Sequence, residues 1–278
     1  YPSAGQDLRI HGLSTGTIAL KERVVNCKRP GMVSTLLSFL DKQWAEWIPV
    51  WIWAIEHPEG TFLIDTGNTV AMKDPTYFAG LDFLSRHFFT REMRFRIDED
   101  EEADPLLQSI GLAPAKVDRV VLTHLHCDHA GGLGQFPGTP VIVNDREWKT
   151  RDSAFPQLWP EGTDFQPVAL DQSFGPFPRA HYLTKAEDLV LVETPGHTRG
   201  HCSVFLKTDY GLICFGGDLV GDQERLFKNS FAATIQNEAE NRESCRRMLQ
   251  LADEQPVIFL SSHDADNEER LKQRTTLK

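Results

Sequence analysis

Within ten residues, Thr123-His-Leu-His-Cys-Asp-His-Ala-Gly-Gly132, the chain crowds together His124, His126, Asp128 and His129. The segment follows the β-rich run 117–122 and ends in two glycines, so it reads as a strand end turning tightly into a loop. Alternate side chains of an extended strand point the same way, which lets His124 and His126 converge on one ion. Asp128 and His129, past the turn, then face a neighbouring one. Four such groups gathered away from water are costly without a cation. Imidazole and carboxylate suit Zn2+, and cobalt, manganese or iron accept the same nitrogen and oxygen donors. A catalytic zinc keeps one position open for water, so the missing donors must come from elsewhere in the chain.

Three later segments offer them, each directly after a strand-like run: Thr194-Pro-Gly-His197, Phe215-Gly-Gly-Asp218 and Ser261-Ser-His263. Isolated histidines such as His11, His57, His87 and His181 read as ordinary buried or solvated side chains, since ligation needs converging partners. Cys127 reads as a bystander in the loop. With Asp65-Thr-Gly67 ahead of them, these segments, in this order, resemble the metallo-β-lactamase superfamily over roughly residues 50–265. The resemblance implies an α/β architecture, an αββα sandwich of two mixed β-sheets flanked by helices, with the site at one edge. It implies that His124, His126 and His197 hold one Zn2+ ion and Asp128, His129 and His263 a second. Asp218 would bridge the two, and Asp65 would orient a ligand histidine through its other ring nitrogen. His201, four residues after His197, matches no usual ligand position. Asp128 and Asp218 are the catalytic candidates; Asp128, as ligand and neighbour of the attacking water, is placed to shuttle its proton.

Beyond the site, apolar runs of strand length recur at 50–55, 61–64, 117–122, 141–143, 189–192, 203–206, 212–215 and 257–260. Helical patterns lie between them. Asp104 and Pro105 are expected as cap and first position of a helix reaching Ile110 and stopped by Gly111. A clearer helix opens at Asn237, with Glu240 as its capping-box partner, and carries Cys245, Met248, Leu249 and Ala252 at helical spacing. Its apolar face should cover a sheet. The expected organisation is one domain over 1–278, with a helical, aromatic insertion at about 68–96 that could cap the site. The acidic run 98–102 reads as a solvated face.

Composition narrows the partners. Lys and Arg number 29 against 40 Asp and Glu, a net charge of −11, which repels polyanions and argues against nucleic acid. The longest apolar run, 47–55, contains Pro49 and falls far short of the roughly 20 residues that span a bilayer. Five cysteines (Cys27, Cys127, Cys202, Cys214, Cys245) include no CxxC pair and read as reduced thiols. A cytoplasmic location is favoured, with export left open because the sequence starts at Tyr1 without an initiator Met. Homodimer formation is also left open.

Two zinc ions sharing a water lower its pKa toward about 7, which makes hydrolysis the expected chemistry. Fold alone does not choose the substrate. A carboxylate at 218 argues against the common zinc β-lactamases, which use cysteine there. The segment Ile48-Pro-Val-Trp-Ile-Trp through Asp65-Thr-Gly67 resembles the N-terminal region of the N-acyl homoserine lactone lactonases. That likeness implies opening of a small acyl lactone, the degradation of a bacterial quorum-sensing signal. Trp44, Trp47, Trp51, Trp53, Phe88 and Phe89 are candidates for an apolar wall, although such aromatics are more often core. One departure stands out: several members of that group carry a tyrosine three residues after the bridging aspartate, and here the position is Gly221. Tyr77, Tyr182 and Tyr210 are candidate replacements, and His181 and Asp264 candidate proton donors. The alternatives are an organophosphate or aryl-ester hydrolase, a glyoxalase II-like thioesterase, and a non-enzymatic, signal-sequestering binding protein.

Overall fold

The computed structural model describes residues 1–3, 6–26, 40–228, 230, 232 and 234–277. The first large sheet contains β1 (Arg9–Leu20), β2 (Ile48–His57), β3 (Gly60–Ile64), β4 (Met93–Arg96), β5 (Arg119–Val121), β6 (Val141–Asn144) and β7 (Phe165–Val168). Its spatial order is β4-β1-β2-β3-β5-β6-β7. The second contains β8 (Gln172–Phe174), β9 (Phe177–Tyr182), β10 (Leu189–Glu193), β11 (Cys202–Thr208), β12 (Gly211–Phe215) and β13 (Val257–Leu260), side by side in chain order. Pairing from β3 through β5 and β6 to β7 is parallel, as is β12 with β13, so both sheets are mixed.

Side-chain alternation builds the layers. Leu189 and Leu191 point inward to meet Trp53, Ile55, Phe62 and Ile64 of the opposite sheet. Val190 and Val192, one step out of phase, point outward beneath the helix Glu238–Glu254 and meet its Cys245, Met248 and Leu251. Across the molecule, Ala103 and Leu107 of the helix Ala103–Ser109 cover Ile52, Ala54, Leu63 and Val120. Helix, sheet, sheet and helix therefore stack as an αββα sandwich. Asn237 caps the long helix as expected, its Oδ1 accepting from Ala239 N at 3.1 Å and Glu240 N at 3.2 Å. Such a cap contributes about 1 kcal/mol.

Three expectations need correction. The helix Ala103–Ser109 starts earlier than Asp104, with Glu102 as its cap; Pro105 stays in the first turn, where a missing N–H breaks no intrahelical bond. The insertion ends at Glu92 rather than 96, because Met93–Arg96 pairs antiparallel with β1 as an edge strand. Trp51 and Trp53 stack at 5.7 Å in the inter-sheet core and so belong to the core rather than a pocket wall, while Trp44 lies under Lys21 and Arg94 and Trp47 under Arg96. Within the insertion Phe78 is buried and stacks on Phe89 at 4.8 Å. The end of the acidic run anchors it: Glu102 Oε1 accepts from Thr69 Oγ1 at 2.6 Å and Val70 N at 2.8 Å. Cys127, Cys202, Cys214 and Cys245 are buried free thiols; Cys27 lies outside the described residues. Among the described residues no helix is long and apolar enough to cross a membrane.

Strand direction positions the site. β3 and β5 run parallel, so the loops carrying Asp65 and His124–His129 leave the same end of the first sheet. In the second sheet β10, β12 and β13 all run one way, with β11 reversed between the first two. Their C-terminal ends carry His197, Asp218 and His263. A hydrogen bond from Trp51 N to Ser262 O, 2.9 Å, ties the two sheets together beside this edge.

Candidate metal centre

Four of these loops gather all seven expected ligands into two adjoining groups. His124, His126 and His197 form one, and Asp128, His129, Asp218 and His263 the other; within each group the donor atoms lie within 4.8 Å of one another. Asp218 faces both. Its Oδ1 is 3.2 Å from His129 Nε2 and 3.2 Å from His263 Nε2, and its Oδ2 is 3.3 Å from His197 Nε2. Asp128 Oδ2 stands 3.6 Å from His263 Nε2 and 3.8 Å from His129 Nε2.

Hydrogen bonds on the far side of each ring decide which nitrogen points inward. His129 Nδ1 donates to Asp65 Oδ2 at 2.8 Å, and His263 Nδ1 donates to Pro49 O at 3.0 Å. Thr123 Oγ1 gives its single proton to Asp65 Oδ2 at 2.8 Å, so it accepts from His124 Nδ1 at 3.1 Å. Each of these rings thus turns its Nε2 toward the centre. Asp65, at φ 57, presents one carboxylate to His129 and to both the backbone and the hydroxyl of Thr123.

The consequence is a cluster of acceptors that face one another. Among the described residues seven buried side-chain polar atoms have no hydrogen-bond partner, and His124 Nε2, His129 Nε2 and Asp218 Oδ1 are three of them, while His126 turns its Nδ1 to His197 Nε2 at 2.9 Å. At little over 3 Å these nitrogens and the carboxylate oxygen need positive charge between them, a proton or a metal ion. The local field agrees. Although burial pushes both rings the other way, Asp218 with Asp65 and Asp128 holds His129 well above the ordinary imidazole range, and Asp218 with Asp128 raises His263. Burial keeps His124, His126 and His197 below it, in the neutral form that binds metal. Against burial, His263, His129 and His197 hold the Asp218 carboxyl well below its usual range. A nitrogen and oxygen donor set of this kind fits divalent transition metals.

Two residues without an expected role prove central. His201 is fully buried, accepts Asp218 N on Nε2 at 2.9 Å and donates from Nδ1 to Thr194 O at 2.9 Å. Burial lowers its pKa to about 4, consistent with a neutral ring that fixes the backbone of Asp218. Gly217, at φ +56, passes so close that a Cβ would lie 2.6 Å from His201 Nε2. Glu147, the other, grips two ligand loops from outside. The only sequence hint of His201 is its spacing from His197; Glu147 carries none.

The proposed helpers separate clearly. Tyr210 sits at the turn joining β11 to β12, under Arg274, and Tyr182 pairs with Val190 at the start of β10, both at the opposite end of the sheet from His197. His181 pairs with Leu191 in mid-sheet. The Asp264 carboxylate accepts from Gln223 N and Arg270 Nη1, each at 3.0 Å, and is held structurally. Tyr77 alone of these lies by the site, lining a small cavity with Leu125, Cys127, Phe155 and Trp159. Over Gly221, Arg225 Cδ comes within 3.5 Å of where a Cβ would stand; its guanidinium is bound to Asp222, Val25 O and Asn26.

Comparison with known proteins fits this geometry. A curated N-acyl homoserine lactonase of Bacillus cereus is 25% identical over 230 residues, covering 81% of this chain and 85% of the relative. An N-acyl homoserine lactone hydrolase structure, with the product N-hexanoyl-L-homoserine bound at its catalytic metal centre, superposes with a TM-score of 0.74 at 21% identity, covering 94% of each chain. A dizinc quorum-quenching lactonase in complex with a product gives 0.62 at 15% identity, covering 93% of this chain and 88% of that one. The model of the metallo-beta-lactamase superfamily matches residues 45–274, and with the αββα sandwich and the clustered ligand loops this places the chain in that superfamily.

Proposed function

We propose that the protein is a metal-dependent hydrolase that opens the lactone ring of N-acyl homoserine lactones, and that its resident metals are two Zn2+ ions. In this reading His124, His126 and His197 hold one ion, Asp128, His129 and His263 the other, and Asp218 joins them. The observation that carries it is the two-sided carboxylate of Asp218, one oxygen turned to each group. Such a metal pair, when bound, activates water and polarises a carbonyl at neutral pH. The lactone is supported by the resemblance to the Bacillus cereus lactonase over 81% of the chain.

The protein's own groups have distinct work. Asp65 and Pro49 O keep the His129 and His263 rings turned inward, so the site is preorganised before substrate arrives. Asp128, with a side chain still 10% exposed beside fully buried His129, takes the proton of the attacking water and returns it to the departing ring oxygen. The net charge of −11 does not repel a neutral lactone, but it does repel the carboxylate product, which favours release.

Mass spectrometry of N-acyl homoserine lactones incubated with the protein should show conversion to the water-added acids, lost on chelation and restored by zinc. Paraoxon and lactoylglutathione run in parallel should turn over far more slowly. Preferential turnover of either would transfer the assignment to a phosphotriesterase or a thioesterase, and lactone binding without product would indicate sequestration.

A further inference from the structure

The short helix Asp145–Thr150 carries no ligand, yet its Glu147 reaches into two loops that do. Glu147 is fully buried. Its Oε1 accepts from Leu125 N at 3.0 Å, between His124 and His126. Its Oε2 accepts from Thr198 Oγ1 at 2.7 Å and Gly200 N at 3.2 Å, directly after His197. The approach is close enough that a Cβ on Gly200 would lie 2.1 Å from Glu147 N. Two neighbours reinforce the clasp: Asn144 Nδ2 donates to Gly200 O at 2.9 Å, and Asp152 Oδ2 accepts from Arg199 N at 2.9 Å. The two rings so held meet at 2.9 Å, His197 Nε2 to His126 Nδ1.

Burying a carboxylate is costly unless hydrogen bonds replace its water, and here three donors from two separate loops do so. Their convergence on one side chain fixes the loops relative to each other. The second ligand group has its own supports in Asp65 and Pro49 O and makes none of these contacts. We propose that Glu147 is a positioning residue for the first ligand group, clasping the His124–His126 and His197–Gly200 loops so that His126 and His197 face one ion. This rests on the metal-site reading above.

The test is zinc titration of metal-stripped protein by calorimetry, comparing wild type with Glu147→Gln. The glutamine keeps the size but offers one acceptor oxygen where two are needed. One equivalent is expected to bind about 10- to 100-fold more weakly, the scale on which groups behind metal ligands act, and the other to stay within about twofold. Placed in a His263→Ala background, which leaves the first group complete, the substitution should still weaken binding; in a His197→Ala background it should not. Thr198→Val, which removes one donor and is milder should Glu147→Gln fail to fold, is expected to shift the same equivalent by a smaller factor. Equal weakening of both equivalents, or a lower Tm of the stripped protein with both affinities unchanged, would overturn the proposal in favour of a purely structural role. If wild type itself fails to take up two equivalents, the metal-site reading fails first.

Discussion

Asp218→Ala is expected to strip most of the metal and to lower lactone turnover by about a thousandfold, the upper range for losing one preorganised charged group at a reaction centre. Asp218 is the one carboxylate shared by the two groups, and its Oδ1 and Oδ2 stand 3.2–3.3 Å from three imidazole nitrogens. Without it, those nitrogens keep only Asp128, at 3.6 Å from His263 and 3.8 Å from His129, and the first group keeps no carboxylate at all. The backbone of this residue is held independently of its carboxylate, by His201. Metal content by elemental analysis and kcat on a lactone should therefore fall together, with the fold intact by circular dichroism. Activity retained after metal is lost would defeat the scheme.

Asp65→Asn should act on the other group. Asparagine tolerates the left-handed backbone at φ 57, so the change isolates the charge and one acceptor oxygen. His129 Nδ1, Thr123 N and Thr123 Oγ1 all depend on this carboxylate, and an amide cannot accept all three bonds. His129 then loses its enforced tautomer, and with it the inward-facing Nε2. Affinity for one metal equivalent is expected to fall about 10- to 100-fold. The stripped protein should also be less stable by about 1–3 kcal/mol, for a buried donor left unsatisfied. Calorimetric titration and denaturant unfolding read the two effects separately; unchanged values of both would show that Asp65 does not orient His129.

Much of this architecture was legible in the sequence because its signals are local. The strands around Val50, Leu63, Val120, Leu191, Val204 and Ile258 are buried on both faces and so appear as unbroken apolar runs. Asn237 declares a helix start through its own side chain. By contrast, β1 is interrupted by Gly12, Gly16 and several hydroxyl residues, and its pairing with β2 slips between Ser14 and Thr17. β4 reads Met-Arg-Phe-Arg, an edge strand too short and charged to be told from a loop. The candidate ligands were legible for a related reason: each follows a strand end, and four of them share one loop. His201 and Glu147 were not, since their roles exist only where distant backbone segments meet them. The tryptophans show the reverse limit, because an aromatic reads the same in the chain whether it lines a pocket or fills a core.

Ring opening is expected to depend on the metal pair held by these seven side chains. Titrating zinc into metal-stripped protein while following hydrolysis of N-hexanoyl homoserine lactone reads this dependence. Turnover should be negligible at the start, rise with added metal and level off at two equivalents per chain. Full activity in the stripped protein, or two bound equivalents with no ring opening, would contradict it.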